Sequence, residues 1–278
     1  MVLGRRLKRL RTLLEKILAG RVNLNLVEED IAELTKRMLE GQEASLARLI
    51  TLVENNLASS DEIAARILSH LKGSYTLGIT GAPGVGKSTL VDQLILQARN
   101  DKLSVGVIAV DPSSFISGGA LLGDRIRMQH HGLDNEVFIR SMATRGSKGG
   151  LSKAVNIVTH LLDAFGRDII MIETTGVGQT EVDIKDMVDS VVAVFSPEYG
   201  DSIQLMKAGL LEIADIIVVN KTDCGTGDWI VSEIQGVLSM SKRSKPQIPV
   251  ITTQGVNGTG IKELYQEIKR RRLLKKAP

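Results

Sequence analysis

The chain has 278 residues, of which 43% are apolar and only 3% aromatic, so it can bury one large core filled mainly by aliphatic side chains. No run approaches 18 consecutive apolar residues and no hydrophobic leader opens the chain, which argues against a transmembrane span and a secreted precursor. A single cysteine, Cys224, excludes an internal disulfide and a CxxC metal site, and we expect a cytoplasmic location.

The net charge of +3 is spread unevenly, because residues 1–21 carry +6 and residues 262–278 carry +5. Basic ends of this kind can contact nucleic acid, an anionic membrane or an acidic partner. Aromatic rings, on which single-stranded nucleic acids stack, are sparse here, and we expect no nucleic-acid partner. The simplest expectation for both ends is a solvated helix face and a frayed tail.

Residues 1–72 are predicted to be helical throughout. Apolar spacing indicates helices over 28–39, 42–55 and 60–71, after a basic amphipathic stretch in the first twenty residues, and Ser60 is the expected N-cap of the last helix. This part of the chain carries no chemistry that the sequence identifies. We expect three units: a helical segment over 1–72, a catalytic domain over 73–262 and a basic helix or tail over 263–278.

From residue 75 onwards, short apolar runs alternate with stretches long enough for crossover helices. This alternation predicts an α/β fold with a mostly parallel, doubly wound sheet, in which ligands bind at the carboxyl ends of the strands. The predicted strands are Tyr75–Thr80, Val105–Val110, Val137–Arg140, Asp168–Ile172, Ser190–Phe195, Ile216–Val219 and Val250–Thr253.

Residues 81–89 read GAPGVGKST and stand between an apolar run and a helical stretch, which is the context that a P-loop of NTPases requires. Glycines let backbone N–H groups turn inward around an anion, and the following helix directs its positive end at the phosphates. Lys87 would reach the β- and γ-phosphates and Ser88 would ligate Mg²⁺. The expected nucleotide contacts of this loop are Gly81, Ala82, Pro83, Gly84, Val85, Gly86, Lys87, Ser88 and Thr89.

Acidic residues follow other predicted strands and are candidates for the Mg²⁺ site. Asp111 is either a ligand of Mg²⁺ or of its waters, or the start of an Asx turn before Pro112; Asp124 is a second candidate, or an acid at a helix start. Glu173 begins ETTGVGQTE, a switch pattern in which Gly176 would donate its N–H to the γ-phosphate. Glu173 would hold Mg²⁺ through water or act on the attacking water, which Gln179 could orient.

Residues 220–223 read NKTD after a predicted strand, and this pattern favours guanine as the base. Guanine presents N1–H and N2–H₂ as paired donors to the carboxylate of Asp223, and adenine has no such pair. Asn220 would support the loop and reach N7, while the stem of Lys221 would lie over the base. A later loop, 251–260, is where guanine O6 is normally met, and Thr253 and Gln254 are weaker candidates for that contact.

The stretches GAPGVGKST, VDPSS with GGALLGDRIRM, ETTGVGQTE and NKTD together resemble the MeaB-type GTPases. These are methylmalonyl-CoA mutase-associated proteins, formerly described as arginine/ornithine transport kinases, and the resemblance covers about residues 28–262. The family switch usually reads ETVGVGQSE, so Thr175 and Thr180 are small departures. Metal ligands of the kind found in nickel-insertion GTPases are missing, and His130 and His131 are expected at the surface.

The resemblance implies a Mg²⁺-dependent GTP hydrolase, with Lys87, Asp111, Asp124 and Glu173 as its metal and catalytic set. It implies a G-protein chaperone that gates cofactor loading and protection of an adenosylcobalamin-dependent mutase subunit. Family members usually continue into a helical dimerisation arm where this chain reads KRRRLLKKAP, so a homodimer is left open. An ATPase or kinase of amino-acid transport and a GTP-gated scaffold without useful turnover are the alternatives. Whether an arginine completes the site in trans is also open, with Arg125, Arg127 and Arg145 as candidates in cis.

Overall fold

A computed structural model describes residues 30–55, 57–111, 129–143, 148–174, 184–197, 209–224, 227–240 and 248–276. Within these ranges, seven strands form one sheet in the order β3-β2-β4-β1-β5-β6-β7, and every neighbouring pair is parallel. The predicted α/β class with a parallel, doubly wound sheet is therefore confirmed. The strands are β1 Tyr75–Thr80, β2 Val105–Asp111, β3 Val137–Ala143, β4 Ile169–Glu173, β5 Ser190–Phe195, β6 Ile216–Val219 and β7 Val250–Thr252.

Several strand ends differ from the prediction because the ladder with a neighbour continues past the apolar run. Asp111 pairs with Ala143, so β2 and β3 both extend to the polar edge of the sheet. Glu173 pairs with Ile79 and Ala109 and is the last residue of β4. Two acidic residues thus end neighbouring strands at one edge.

Helices cover both faces of the sheet. On one face, α4 and α8 pack over a core that includes Leu90, Leu94 and Leu264. On the other face, α1, α2, α3 and α5 enclose a second core with the strands β2 to β4. The helices are α1 Ile31–Leu39, α2 Glu43–Asn55, α3 Leu57–Ile67, α4 Lys87–Asn100, α5 Lys148–Phe165, α6 Leu210–Ile213, α7 Gly227–Met240 and α8 Ile261–Lys276. No helix in the described ranges combines the length and apolar character that a membrane crossing requires.

The N-terminal helices form part of the second core. The Asp30 carboxylate caps α1 by accepting from the backbone N–H of Ala32 at 2.9 Å, and α2 and α3 pack on α5. Arg140 of β3 forms an ion pair with Glu54 of α2. The prediction of Ser60 as an N-cap is wrong, because α3 begins at Leu57 and buries Ser60 inside the helix. Residues 1–29, which include the basic amphipathic stretch, lie outside the described part.

The basic C-terminal stretch is a helix whose cations pair with acids of the same molecule. Aspartates stand immediately before β4, β5 and β6, where the strands enter the sheet. Their partners on α8 lie at N–O distances of 3.4, 2.7 and 3.9 Å: Arg272 with Asp168, Lys275 with Asp189 and Arg271 with Asp215. The expected frayed tail is therefore wrong as far as Lys276, where the helix ends. The expected solvated face is right for Lys269 and Arg270, which are exposed, and wrong for Arg271 and Arg272, which are mostly covered and bridge strand starts that are far apart in sequence.

The same helix also contacts the end of the P-loop helix α4. Lys269 Nζ donates to Asp101 Oδ2 at 2.7 Å, and the Tyr265 hydroxyl donates to the same oxygen at 3.0 Å. These hydrogen bonds, that of Lys269 first, hold the pKa of the Asp101 carboxyl below its ordinary value. The C-terminal end of α4 is thus attached to α8.

Candidate functional site

The P-loop follows β1 and leads directly into α4, as the sequence predicts. Gly81 and Gly86 have φ angles of +144° and +94°, which favour glycine. A Cβ at Gly81 would lie 2.2 Å from the carbonyl oxygen of Val194, and one at Gly86 would lie 2.4 Å from Nδ2 of Asn220. Close packing against β5 and against the NKTD stretch therefore requires glycine at these two positions.

Lys87 is the first residue of α4, and its side chain folds back into the loop. The buried ammonium group donates to the carbonyl oxygens of Gly81 at 2.8 Å and Ala82 at 2.9 Å. A cation is thereby held inside the curve of the loop, next to the positive end of the α4 dipole. This arrangement can bind the phosphates of a nucleotide.

A hydroxyl and a carboxylate meet beside the P-loop. The Ser88 hydroxyl donates to Oε1 of Glu173 at 2.7 Å, and both side chains are buried. They meet because β4 lies next to β1, so that Glu173 ends its strand beside the start of α4. Oxygen donors of this kind are the ligands that Mg²⁺ prefers, and the pair fits a magnesium ion.

The other candidate Mg²⁺ ligands are placed less completely. Asp111 ends β2, the neighbour of β4, so its backbone lies at the same edge of the sheet as Glu173. Its side chain, together with Asp124, Gly176 and Gln179, lies outside the described residues. Thr174, directly after Glu173, is described: its hydroxyl donates to the hydroxyl of Thr80 at 3.0 Å and ties the start of the predicted switch to β1.

The NKTD stretch, residues 220–223, forms a loop after β6 that we call the base loop. Asn220 is buried, and its Nδ2 donates to the carbonyl oxygen of Val85 in the P-loop at 2.9 Å. Lys221 has a φ of +61°, and Asp223 is exposed in a short 3₁₀ helix, Thr222–Cys224. The base loop and the P-loop are therefore joined directly, and the Asp223 carboxylate is open to a ligand.

The loop after β7, residues 253–260, packs against the base loop. Oδ1 of Asn220 accepts from the Thr253 hydroxyl and from the backbone N–H of Gly255, both at 3.0 Å. Gln254 accepts from Nδ2 of Asn257 at 2.6 Å within the loop itself. Thr253 thus supports Asn220, which the sequence does not indicate; the O6 contact expected of Thr253 and Gln254 stays a prediction. No sequence signal points to Gly255, because only tertiary packing brings it to Asn220.

One further expectation is wrong. The sequence predicts His131 at the surface, but the side chain is only 5% exposed, and its Nε2 lies 3.0 Å from Oδ1 of Asp92 on α4. The side chain of His130 and the arginine candidates Arg125, Arg127 and Arg145 lie outside the described part. His131 is buried where it contacts Asp92 of α4, a long-range contact that no local pattern encodes.

Comparison with known proteins identifies the family. The family model described as "Methylmalonyl Co-A mutase-associated GTPase MeaB" matches residues 46–277. Among similar proteins, the one named "Putative GTPase PH0274" from Pyrococcus horikoshii is 52% identical over 245 residues, which are 87% of this chain and 77% of that protein. A mouse protein named "Methylmalonic aciduria type A homolog, mitochondrial" is 36% identical over 84% of this chain and 60% of its own length.

A solved structure supports the same assignment. The crystal structure of a protein named "LAO/AO transport system kinase" has a TM-score of 0.70 and 28% identity, covering 90% of this chain and 78% of that one. The similarity in fold therefore extends over most of the chain. The family model matches most of the chain, and the P-loop, the Ser88–Glu173 pair and the base loop lie together at one edge of the sheet. The chain therefore belongs to the MeaB family of methylmalonyl-CoA mutase-associated GTPases and is a GTP hydrolase.

Proposed function

We propose that the chain is a Mg²⁺-dependent GTPase that acts as a G-protein chaperone for an adenosylcobalamin-dependent mutase of the methylmalonyl-CoA mutase type. The observation that carries the proposal is the convergence of the P-loop, Glu173 and the base loop at one sheet edge, in a chain whose family description names that mutase. The name of the mouse relative, which refers to methylmalonic aciduria, supports the same partner.

In this proposal, different residues bind the two ends of GTP. At the phosphate end, the backbone of the P-loop and the ammonium group of Lys87 bind the β- and γ-phosphates. At the base end, Asp223 accepts from N1–H and N2–H₂ of guanine, while Asn220 holds its loop against the P-loop. The hydrogen bond from Asn220 to Val85 would therefore help to set the distance between phosphate binding and base recognition.

The hydrolytic centre lies between these ends. Ser88 and Glu173 would hold Mg²⁺, with Asp111 and Asp124 completing the set, and the ion would neutralise charge that develops on the phosphates. Glu173 acts either on the metal or on the attacking water. The N–H of Gly176 would bind the γ-phosphate, and hydrolysis would remove this contact. The mutase would then sense the nucleotide state through the residues that follow Glu173.

The test is to measure GTP hydrolysis with and without a mutase subunit of the methylmalonyl-CoA type. Isolated P-loop GTPases are slow, about 10⁻⁴ to 10⁻² s⁻¹, and partners raise the rate by up to about 10⁵-fold, so we expect stimulation on mixing. Lys87→Ala is the control and should remove the stimulated rate. A mutase subunit that neither binds nor changes the rate would contradict the chaperone role while leaving the GTPase activity intact.

A second candidate is an ATP-dependent kinase of amino-acid transport, which the name of the protein in the similar crystal structure favours. The two candidates differ in the base that they require. Asp223 pairs with the donors of guanine, and adenine offers no matching pair. We therefore expect GTP to displace bound GDP at far lower concentration than ATP does, and the reverse order would support the kinase.

A further inference from the structure

A buried histidine packs against the P-loop helix outside the residues assigned above. His131 belongs to a short 3₁₀ helix, Gln129–Leu133, and its Nε2 lies 3.0 Å from Oδ1 of Asp92. The side chains of His131 and Asp92 are only 5% and 15% exposed. A hydrogen bond between two such polar groups is well shielded from water, and shielding strengthens it.

Asp92 occupies a significant place on α4. It follows Ser88 by four residues, and side chains at this spacing lie on the same face of a helix, one turn apart. The rise of 1.5 Å per residue puts Asp92 about 6 Å along the axis from Ser88. A shift in the position of Asp92 would therefore move the preceding turn of α4, which carries the Ser88 hydroxyl that donates to Glu173.

The segment that carries His131 is attached to α4 at a second, more distant point. Arg99, two turns after Asp92, donates from Nε to Oδ2 of Asp134 at 2.8 Å. Asp134 in turn donates its backbone N–H to the carbonyl oxygen of His131 at 3.0 Å. We call the His131–Asp92 hydrogen bond, which lies one helical turn from Ser88, the near tie. We call the Arg99–Asp134 ion pair, at the other end of α4, the far tie.

We propose that His131 is a positioning residue for GTP hydrolysis, acting through Asp92 to hold the first turns of α4 so that Ser88 meets Glu173. His131 does not itself contact the nucleotide. The inference rests on the magnesium site of the proposed function, and it adds a residue that neither the P-loop motif nor the switch pattern contains.

The test compares three variants in GTP hydrolysis by the isolated full chain. His131→Leu removes the hydrogen bond at similar volume, and His131→Gln keeps an N–H at similar reach. Asp134→Asn weakens the far tie and is the matched control. Groups that hydrogen-bond directly to a metal ligand contribute about 10- to 100-fold to metal affinity or activity. Because His131 acts one residue further away, through Asp92, we expect His131→Leu to raise the half-saturating Mg²⁺ and to lower kcat by no more than about tenfold each.

The expected pattern separates positioning from general stability. His131→Gln should stay within about threefold of the wild type, and the KM for GTP should change little in either His131 variant, because ground-state binding is untouched. Asp134→Asn should lower the Tm but leave kcat and the Mg²⁺ dependence as in the wild type. If His131→Leu does not fold, Asp92→Ala removes the acceptor of the same hydrogen bond and retains a good helix former, and it should show the same shift in Mg²⁺ dependence.

Two results would overturn the inference: wild-type kinetics in His131→Leu or Asp92→Ala, or an equal kinetic defect in Asp134→Asn. Failure of the proposed magnesium site would appear separately, as an unchanged Mg²⁺ dependence in Ser88→Ala. Failure of the chaperone role would appear only in mixing with a mutase subunit, which this experiment does not include.

Discussion

Replacing Asn220 with alanine removes three hydrogen bonds that join the base loop to its neighbours. The amide donates to Val85 of the P-loop at 2.9 Å and accepts from Thr253 and Gly255 at 3.0 Å each. The side chain is 2% exposed, so water does not readily replace these partners. A neutral hydrogen bond contributes about 1 kcal/mol net, so we expect Asn220→Ala to lower the free energy of unfolding by about 3 kcal/mol.

Thr253→Val supplies the matched comparison. It preserves shape and removes one of the three hydrogen bonds without leaving an orphaned donor, so its expected cost is about 1 kcal/mol. The measurement is urea unfolding of both variants and the wild type without nucleotide, followed by circular dichroism and analysed at equal slope. GDP affinity should also fall more in Asn220→Ala, because the P-loop and the base loop lose their common anchor.

Equal losses in the two variants, or a loss below about 1 kcal/mol in Asn220→Ala, would refute the reasoning. The loops would then be held by other contacts, and the described hydrogen bonds of Asn220 would not set the spacing between phosphate and base.

Three further predictions concern other parts of the molecule. Asp223→Asn should weaken GTP binding by about 30- to 150-fold, since hydrogen bonds to a charged group contribute about 2 to 3 kcal/mol, and calorimetry should show little change for ATP. Lys269 holds the pKa of Asp101 below its ordinary value, so the ionised carboxylate stabilises the fold above the unfolded-state pKa. This contribution is lost as pH falls through the lower folded-state pKa. In urea unfolding, the stability of Asp101→Asn should therefore differ from that of the wild type at pH 7 and converge with it in acid. Gly260→Ala would place Cβ 2.0 Å from a backbone carbonyl oxygen, at a φ of +74°. In Gly258→Ala the φ is similar, +80°, but the nearest atom is 3.7 Å away, so the Tm of Gly260→Ala should be well below that of Gly258→Ala. Equal Tm values would contradict this.

The strands and the P-loop were predictable because their signals are local. A run of apolar residues such as Ser190–Phe195 is typical of a strand buried on both faces, and the structure has the same bounds. The glycines and Lys87 of GAPGVGKST stand between a strand and a helix, so the phosphate loop could be placed from its neighbours alone. Strand ends were less certain, because pairing with a neighbour carried β2 and β3 past their apolar runs.

The sequence by itself determined the fold class, the nucleotide-binding loops and the family, since each depends on residues close together along the chain. Tertiary structure decided how those loops are joined: Asn220 reaches Val85, His131 is buried against Asp92, and cations of α8 pair with aspartates at the starts of β4 to β6. The physical reason is the strand order β3-β2-β4-β1-β5-β6-β7, which brings together residues as far apart in sequence as Asn220 and Val85, separated by 135 positions. Hydrophobic periodicity does not contain this order.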